Sequence, residues 1–286
     1  MIEIGYHTDA WNASFYSFKK AVDWAGEHGV TRIECGAVDG VTWLHGLGYH
    51  PHIALWEDPI ALKAYMAERG VRFSQIDAAF PLTLREGLSL GVQYIKNTIR
   101  WAKMVECRFI DTTDYMEKPA DLTDEQVMDQ LKRAYEDVLP VAESHNTIIN
   151  IEPHGYFTTN IEKMHTLLNY FDTPWLRLNM DTGNTFIAGQ DPVEFLDALK
   201  DFVSHVHIKD VSEELAASLR GEATGIALSH CAVGDGVNAD NIRKCLQMLA
   251  DQGYQGILSI ESEGTGGMLE KGVEWLRKEV AEIFPE

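Results

Sequence analysis

The chain has 286 residues, of which 45% are hydrophobic and 24% charged, and its formal net charge is −20. A chain of this length can bury a sizeable core, and it suits one (β/α)₈ barrel or two small domains. The acidic balance argues against nucleic acid and against an anionic membrane surface as partners, because both bind basic surfaces.

Short apolar runs alternate with amphipathic stretches along the whole chain, as buried parallel strands and their connecting helices do. Eight strands are predicted, at Ile2–Tyr6, Arg32–Cys35, Arg72–Ile76, Phe109–Asp111, Ile148–Ile151, Leu176–Met180, Val203–Ile208 and Ile257–Ile260. Eight helices are predicted between and after these strands. The first four run from a cap at Ser14 to Gly29, from Asp58 to Gly70, over Glu86–Val105, and from Thr123 to His145 with a kink at Pro140. The last four cover Ile161–Tyr170, a segment that begins at Asp191, Ala239–Gln252 and Gly272–Phe284.

Two connections are longer than ordinary barrel turns. Val38–Trp56 is rich in aromatic and histidine residues (Trp43, His45, His50 and His52), and Asp210–Asn238 contains Arg220. Loops of this length are usually functional, so we expect them to cover the site. The first loop could equally serve an oligomer contact. The partners considered besides substrate are a second copy in a homo-oligomer and a small accessory subunit.

Regular alternation of eight strands with eight helices predicts a closed parallel barrel. We therefore expect a single (β/α)₈ TIM-barrel domain over residues 1–286. A doubly wound sheet would usually carry a glycine-rich phosphate loop after its first strand, and the segment beginning at His7 (His-Thr-Asp-Ala) is not such a loop.

The cysteines and the first residues of the sequence favour a cytoplasmic enzyme. Four cysteines without a CxxC spacing are typical of reduced thiols in the cytosol; they are Cys35, Cys107, Cys231 and Cys245. The sequence opens without a basic leader, and no apolar run reaches the roughly 18 residues of a membrane span.

The most informative pattern is at the ends of the last four strands, each of which delivers one residue suited to bind a metal. They are Glu152, Asp181, His207 and Glu261. The carboxyl ends of parallel barrel strands meet at one mouth, and three carboxylates there need a cation or protons to compensate them. This oxygen-rich set predicts one divalent ion, with Mn²⁺ expected first and Mg²⁺ or Co²⁺ as alternatives.

The motifs around these residues are similar to those of the xylose isomerase-like TIM barrel superfamily. They are Ile-Glu-Pro-His-Gly, Asn-Met-Asp-Thr-Gly-Asn, His-Val-His-Ile-Lys-Asp and Ser-Ile-Glu. The layout matches over the whole chain, and the specific motifs lie in its C-terminal half. The superfamily includes sugar isomerases and epimerases, inosose dehydratases, C-glycoside deglycosidase catalytic subunits and type-IV apurinic endonucleases. The resemblance implies one divalent ion at the four positions named above.

The chain departs from some members at Asn184, where many ketose 3-epimerases and the endonucleases carry histidine. The endonucleases also need further histidine ligands and bind DNA, which the charge of −20 disfavours.

The resemblance implies an enzyme that removes a proton next to the carbonyl of a keto-sugar, as sugar isomerases and epimerases do. Glu152 or Glu261 would take and return the proton. The alternative is a lyase, in which His154 protonates a leaving group after the same first step; the dehydratase and deglycosidase members favour this role. A sugar-binding barrel without catalysis is a third interpretation.

Further polar residues could contact a small sugar substrate. His7, Trp11, Glu34 and Asp77 follow or end the first three strands, and Asn184 and Arg220 lie in later connections. Lys209 is expected to face a neighbouring strand or helix rather than the mouth, unless its strand continues.

Overall fold

The computed structural model describes residues 2–11, 17–40, 52–222, 224, 225, 227, 229–262 and 266–284. Within them, eight parallel strands form a barrel: β1 (Glu3–His7), β2 (Arg32–Val38), β3 (Arg72–Asp77), β4 (Phe109–Thr112), β5 (Ile148–Ile151), β6 (Leu176–Asp181), β7 (Val203–Ile208) and β8 (Ile257–Ile260). The barrel closes because β1 pairs with β2 through Gly5 and Arg32, and with β8 through Glu3 and Ile257. The predicted (β/α)₈ barrel is confirmed.

Helices in the described ranges surround the barrel: α1 (Phe18–Glu27), α2 (Pro59–Ala67), α3 (Val92–Met104), α4 (Asp124–His145), α5 (Ile161–Phe171), α6 (Thr182–Ile187), α7 (Pro192–Leu199), α8 (Glu213–Leu219), α9 (Ala239–Asp251) and α10 (Met268–Ile283). The predicted capping box of α4 is present, with Thr123 and Gln126 each bonding the other's backbone N–H. None of these helices has the length and hydropathy to cross a membrane.

The structure differs from the predicted elements in several places. Ser17 caps α1, whereas the predicted cap, Ser14, lies outside the described residues. The segment predicted to begin a helix at Glu86 starts with a π-helical turn, Gly87–Gly91, before α3. The long connection after β2 contains a two-residue strand, Ile53–Ala54, which pairs with β2.

Two short helices, α6 and α8, were not predicted because side chains outside them supply their first hydrogen bonds. The carboxylate of Asp181 accepts the N–H of Asn184 and starts α6. The hydroxyl of Ser212 likewise accepts the N–H of Leu215 and starts α8. Capping of this kind stabilises helices too short to form by themselves.

The interior of the barrel contains polar side chains whose hydrogen bonds join strands that are not neighbours. Asn150 of β5 donates to Gln75 of β3, and Ser204 of β7 donates to Asn150. Alternate residues of the same strands, such as Ile76 and Ile149, are fully buried and belong to the hydrophobic core. The strands are therefore fixed on one side by apolar packing, and on the other by polar bonds that lead toward the mouth.

Candidate metal centre

Four buried side chains from four consecutive strands converge at the mouth of the barrel. Each of Glu152, Asp181, His207 and Glu261 offers one ligand atom, and these atoms lie within 4.8 Å of one another. We call these four residues the acidic cluster. Asp181 ends β6, His207 lies in β7, and each of the two glutamates directly follows a strand. The parallel barrel therefore brings together residues more than 100 positions apart in the sequence, as the ends of its strands predict.

The imidazole of His207 is at the centre of the acidic cluster. Its Nδ1 lies 2.7 Å from Oε1 of Glu152, 3.2 Å from Oε2 of Glu261 and 3.6 Å from Oδ2 of Asp181. The same nitrogen thus faces all three carboxylates. The other ring nitrogen, Nε2, lies on the far side.

Electrostatics in this cluster are governed by burial and by opposed charges. Burial alone would lower the pKa of His207, but the negative charges of Glu34 and Glu152 hold that pKa well above its usual value. Burial, together with the charge of Glu261, raises the pKa of Asp181 well above its usual range. Without a cation, these protons compensate the carboxylates.

The donor set fits a divalent ion. Asp181 Oδ2 and Glu261 Oε2 are buried, and neither makes a hydrogen bond with the described residues. Buried oxygens without hydrogen bonds are costly, and a cation at this point would satisfy both. Three carboxylates and one imidazole suit a hard or borderline ion rather than a structural zinc site, which usually includes thiolates.

Asn184 and Lys209 extend the polar site along one side. Asn184 donates to Oε1 of Glu152 over 3.3 Å and accepts from the ammonium of Lys209 over 3.2 Å. The ammonium also donates to Oε1 of Glu261 over 3.2 Å. The expectation that Lys209 faces away from the mouth is therefore wrong. The strand ends at Ile208, but the alternation of His205 and His207 continues to Lys209 and turns it inward.

His154 lies against Glu152 in the loop after β5. Its Nε2 is 3.2 Å from Oε2 of Glu152, and its side chain keeps 16% of its surface exposed. Its Nδ1 makes no hydrogen bond with the described residues. His154 thus combines contact with the acidic cluster and access to the mouth.

The backbone of His154 is held on both sides. Thr158 Oγ1 accepts the N–H groups of His154 and Gly155 over 2.9 Å each, and donates to the buried carboxylate of Asp114 over 2.6 Å. The carbonyl of His154 accepts from the N–H of Gly225, in the long connection after β7, over 3.0 Å. This connection therefore reaches the site, as its length predicts.

The other residues predicted to contact substrate lie in different surroundings. The centre of the His7 ring lies 6.0 Å from that of the His207 ring. Asp77 ends β3, and the removal of its carboxyl group from water raises its pKa to about 7. Trp11 donates to the hydroxyl of Tyr6 and packs toward α1, and Arg220 contacts Phe186. Glu34 is fully buried beneath His207, so it does not line the surface of the pocket. Trp43, His45 and His50 lie outside the described residues.

Sequence reasoning missed a set of buried polar residues below the cluster. Asn179 donates to Asp111 over 3.1 Å and accepts from Nδ1 of His205 over 3.0 Å. Burial, followed by the charge of Glu152, raises the pKa of Asp111 well above its usual value. Polar residues at alternate positions of otherwise apolar strands were the available signal.

Comparison with known proteins gives consistent matches. The sequence profile of a family described as xylose isomerase-like TIM barrel matches residues 22–279. An inosose dehydratase of Clostridium botulinum (strain Eklund 17B / Type B) is 29% identical over 118 residues, which cover 38% of this chain and 39% of that protein. The match thus spans well under half the length of that relative.

Solved structures share the whole fold at low sequence identity. A xylose isomerase domain protein from Planctomyces limnophilus has a TM-score of 0.74 and 20% identity, covering 99% of this chain and 97% of that one. A 3-keto-D-glucoside 4-epimerase from E. coli has a TM-score of 0.71 and 14% identity, covering 99% of each chain. At such identities the likeness establishes the fold only.

Proposed function

Since the chain belongs to the xylose isomerase-like TIM barrel family, we propose that it is a divalent-metal-dependent enzyme acting on a keto-sugar. It removes a proton from the carbon next to the carbonyl, as sugar isomerases and epimerases do. The observation that carries this proposal is the convergence of the acidic cluster, whose ligand atoms lie within 4.8 Å of one another at the barrel mouth.

In this proposal, Glu152, Asp181, His207 and Glu261 hold the ion. We propose Mn²⁺, with Mg²⁺ and Co²⁺ as alternatives, because the set has three carboxylates and no thiolate. When bound, the ion would supply positive charge next to the substrate oxygens.

Glu152 and Glu261 are the proposed acid–base residues. Each has one carboxylate oxygen toward Nδ1 of His207 and the other toward a cationic or titratable group: His154 for Glu152, and Lys209 for Glu261. Proton removal and return from two sides of a carbon require two such groups, which is the arrangement that epimerisation needs.

Elimination is the second candidate, and His154 favours it. A partly exposed imidazole beside Glu152 is placed to protonate a leaving group once the first proton has been removed. The inosose dehydratase relative also favours this outcome, because its name describes a dehydration. Both candidates share the first proton transfer.

We propose a small sugar or sugar derivative as substrate, and the cytoplasm as the place of action. His7, Asp77 and Asn184 are the proposed contacts nearest the acidic cluster, since His7 lies beside the His207 ring and Asn184 bonds to Glu152. Trp11 and Arg220 are proposed substrate contacts at the edge of the barrel mouth. In this structure, Trp11 donates to the hydroxyl of Tyr6 and Arg220 donates to the carbonyl of Phe186.

The test is incubation of the Mn²⁺-loaded protein in D₂O with a panel of ketoses, 3-oxo-glucosides and inososes, followed by NMR. We expect deuterium at the carbon next to the carbonyl of at least one compound. An epimer or isomer identifies the first candidate, and an unsaturated product identifies the second. The Asp181→Ala variant, treated identically, is the control and should give no exchange. Absence of exchange and of product across the panel, in a protein that holds its metal, would contradict the proposal.

A further inference from the structure

The carboxylate of Glu34 contacts the side of the His207 ring that faces away from the other three carboxylates. Oε2 of Glu34 lies 2.8 Å from Nε2 of His207, and Glu34 has no exposed surface. Glu34 belongs to β2 and His207 to β7, so the bond crosses the interior of the barrel. Its location excludes direct contact with a substrate at the mouth.

Other buried bonds fix the orientation of this carboxylate. Gln75 donates to Oε1 of Glu34 over 2.8 Å, and Ser259 donates to Oε2 over 3.3 Å. Gln75 in turn accepts a hydrogen bond from Asn150, and Asn150 accepts one from the hydroxyl of Ser204. Glu34 therefore meets His207 as a fixed acceptor rather than as a mobile side chain.

A neutral imidazole carries a proton on one ring nitrogen and a lone pair on the other. A carboxylate accepts hydrogen bonds only, so Glu152 favours a proton on Nδ1 and Glu34 favours one on Nε2 in the metal-free protein. When an ion among the three carboxylates takes the place of the Nδ1 proton, Glu34 holds the remaining proton on Nε2. The lone pair is then on Nδ1, which is the nitrogen that faces Glu152, Asp181 and Glu261.

We infer that Glu34 is a positioning residue that sets the tautomer and orientation of His207 for binding a metal through Nδ1. This inference rests on the proposed metal-dependent function. Carboxylate partners of metal-binding histidines typically contribute about 10- to 100-fold to metal affinity.

A separate ion site formed by Glu34, His205 and His207 is the competing interpretation, since ligand atoms of these residues also lie close together. One observation disfavours it. Oε2 of Glu34, which lies 3.9 Å from Nε2 of His205, is already at hydrogen-bond distance from Nε2 of His207 and accepts from the hydroxyl of Ser259. We therefore expect one ion per chain.

The first experiment measures Mn²⁺ binding to the full chain by calorimetry. Glu34→Gln should bind Mn²⁺ about 10- to 100-fold more weakly than the wild type. Glu279→Gln is the matched control, because Glu279 of α10 is also a buried glutamate but accepts from Arg243 of α9. This variant should bind Mn²⁺ within about twofold of the wild type.

The second experiment needs no variant, so it decides the question even if Glu34→Gln fails to fold. Nitrogen-15 NMR of histidine-labelled wild type loaded with Zn²⁺ alone should show the His207 ring with metal on Nδ1 and a proton on Nε2. Metal on Nε2, an unprotonated Nε2, or two ions per chain would overturn the inference. Unchanged Mn²⁺ affinity in a folded Glu34→Gln protein would do the same and leave the proposed function standing. Failure of the wild type to bind Mn²⁺ would instead remove the proposed function itself.

Discussion

The ammonium of Lys209 lies 3.2 Å from a carboxylate oxygen of Glu261, and both side chains are almost completely buried. A buried lysine is costly unless its charge is compensated, and Glu261 compensates it. Burial would raise the pKa of Glu261, but Lys209 and His207 hold that pKa well below its usual value. This pair therefore keeps one carboxylate of the acidic cluster ionised before any ion binds.

Replacing Lys209 by methionine leaves the Glu261 charge without its compensating ammonium. We expect the metal-free Lys209→Met protein to lose about 3 kcal/mol of unfolding free energy, measured by urea denaturation. Removing one partner of a buried ion pair leaves the charge of the other without compensation in an apolar environment. The control is Lys271→Met, which breaks an exposed pair with Asp235 and should leave the unfolding free energy nearly unchanged. Equal losses in the two variants would show that the Lys209 pair contributes no more than a surface pair.

His154 and His207 should respond differently to substitution by alanine. His207→Ala removes a ligand and should abolish stoichiometric Mn²⁺ binding. His154→Ala should keep its metal and slow turnover by roughly 100-fold or more, as loss of a general acid or base does. Metal analysis and rates on the substrate identified by the D₂O panel check both. A His154→Ala protein without metal would make His154 a ligand, and an unchanged rate would remove its catalytic role.

The sequence predicted that the four residues of the acidic cluster meet, because each ends or follows a short apolar run and parallel strands in a barrel end at one mouth. Predicted and observed strand ends agree within one residue except in β2, which was predicted to end at Cys35 and runs to Val38; β7 and β8 have the predicted bounds. The partners of these residues could not be predicted. The bond between Gln75 and Asn150 joins residues 75 positions apart, and the contact between Glu34 and His207 joins strands that are not neighbours in the barrel. Such pairings depend on strand register and on a bulge in β2–β3 pairing, which local patterns do not contain.

Gly155 should tolerate no side chain. A Cβ there would overlap Oδ1 of Asp114, the oxygen that Thr158 bonds while holding His154. Gly155→Ala should therefore displace His154 and lower turnover at least tenfold, with stoichiometric Mn²⁺ retained, at a cost of about 1–3 kcal/mol in stability.

The control for this variant is Gly272→Ala in α10, where the nearest atom to an added Cβ is 3.5 Å away. It should leave turnover unchanged and should not lower stability, because the added Cβ meets no close atom and alanine is favoured over glycine within a helix. Wild-type turnover in Gly155→Ala would show that the Asp114–Thr158 loop does not position His154.

Metal affinity should rise with pH. Burial opposes a charged His207, yet the charges of Glu34 and Glu152 keep the pKa of His207 well above its usual value in the metal-free protein. Burial and the charge of Glu261 raise the pKa of Asp181. Protons on these ligands must leave before an ion binds, so lower pH favours the metal-free form and higher pH favours the metal-bound form.

Calorimetry in buffers of different ionisation enthalpy measures this directly. We expect at least one proton to be released per Mn²⁺ bound at pH 7, and a lower dissociation constant at pH 8 than at pH 6. An affinity independent of pH, with no proton released, would mean that the ligands are already deprotonated in the metal-free protein.

The most direct test of the metal centre is an anomalous difference map from a crystal of the wild-type chain grown with Mn²⁺ as its only divalent ion. The account predicts one strong peak per chain, bonded to carboxylate oxygens of Glu152, Asp181 and Glu261 and to Nδ1 of His207. A map without a peak at this position, or with the peak between Glu34 and His205, would contradict it.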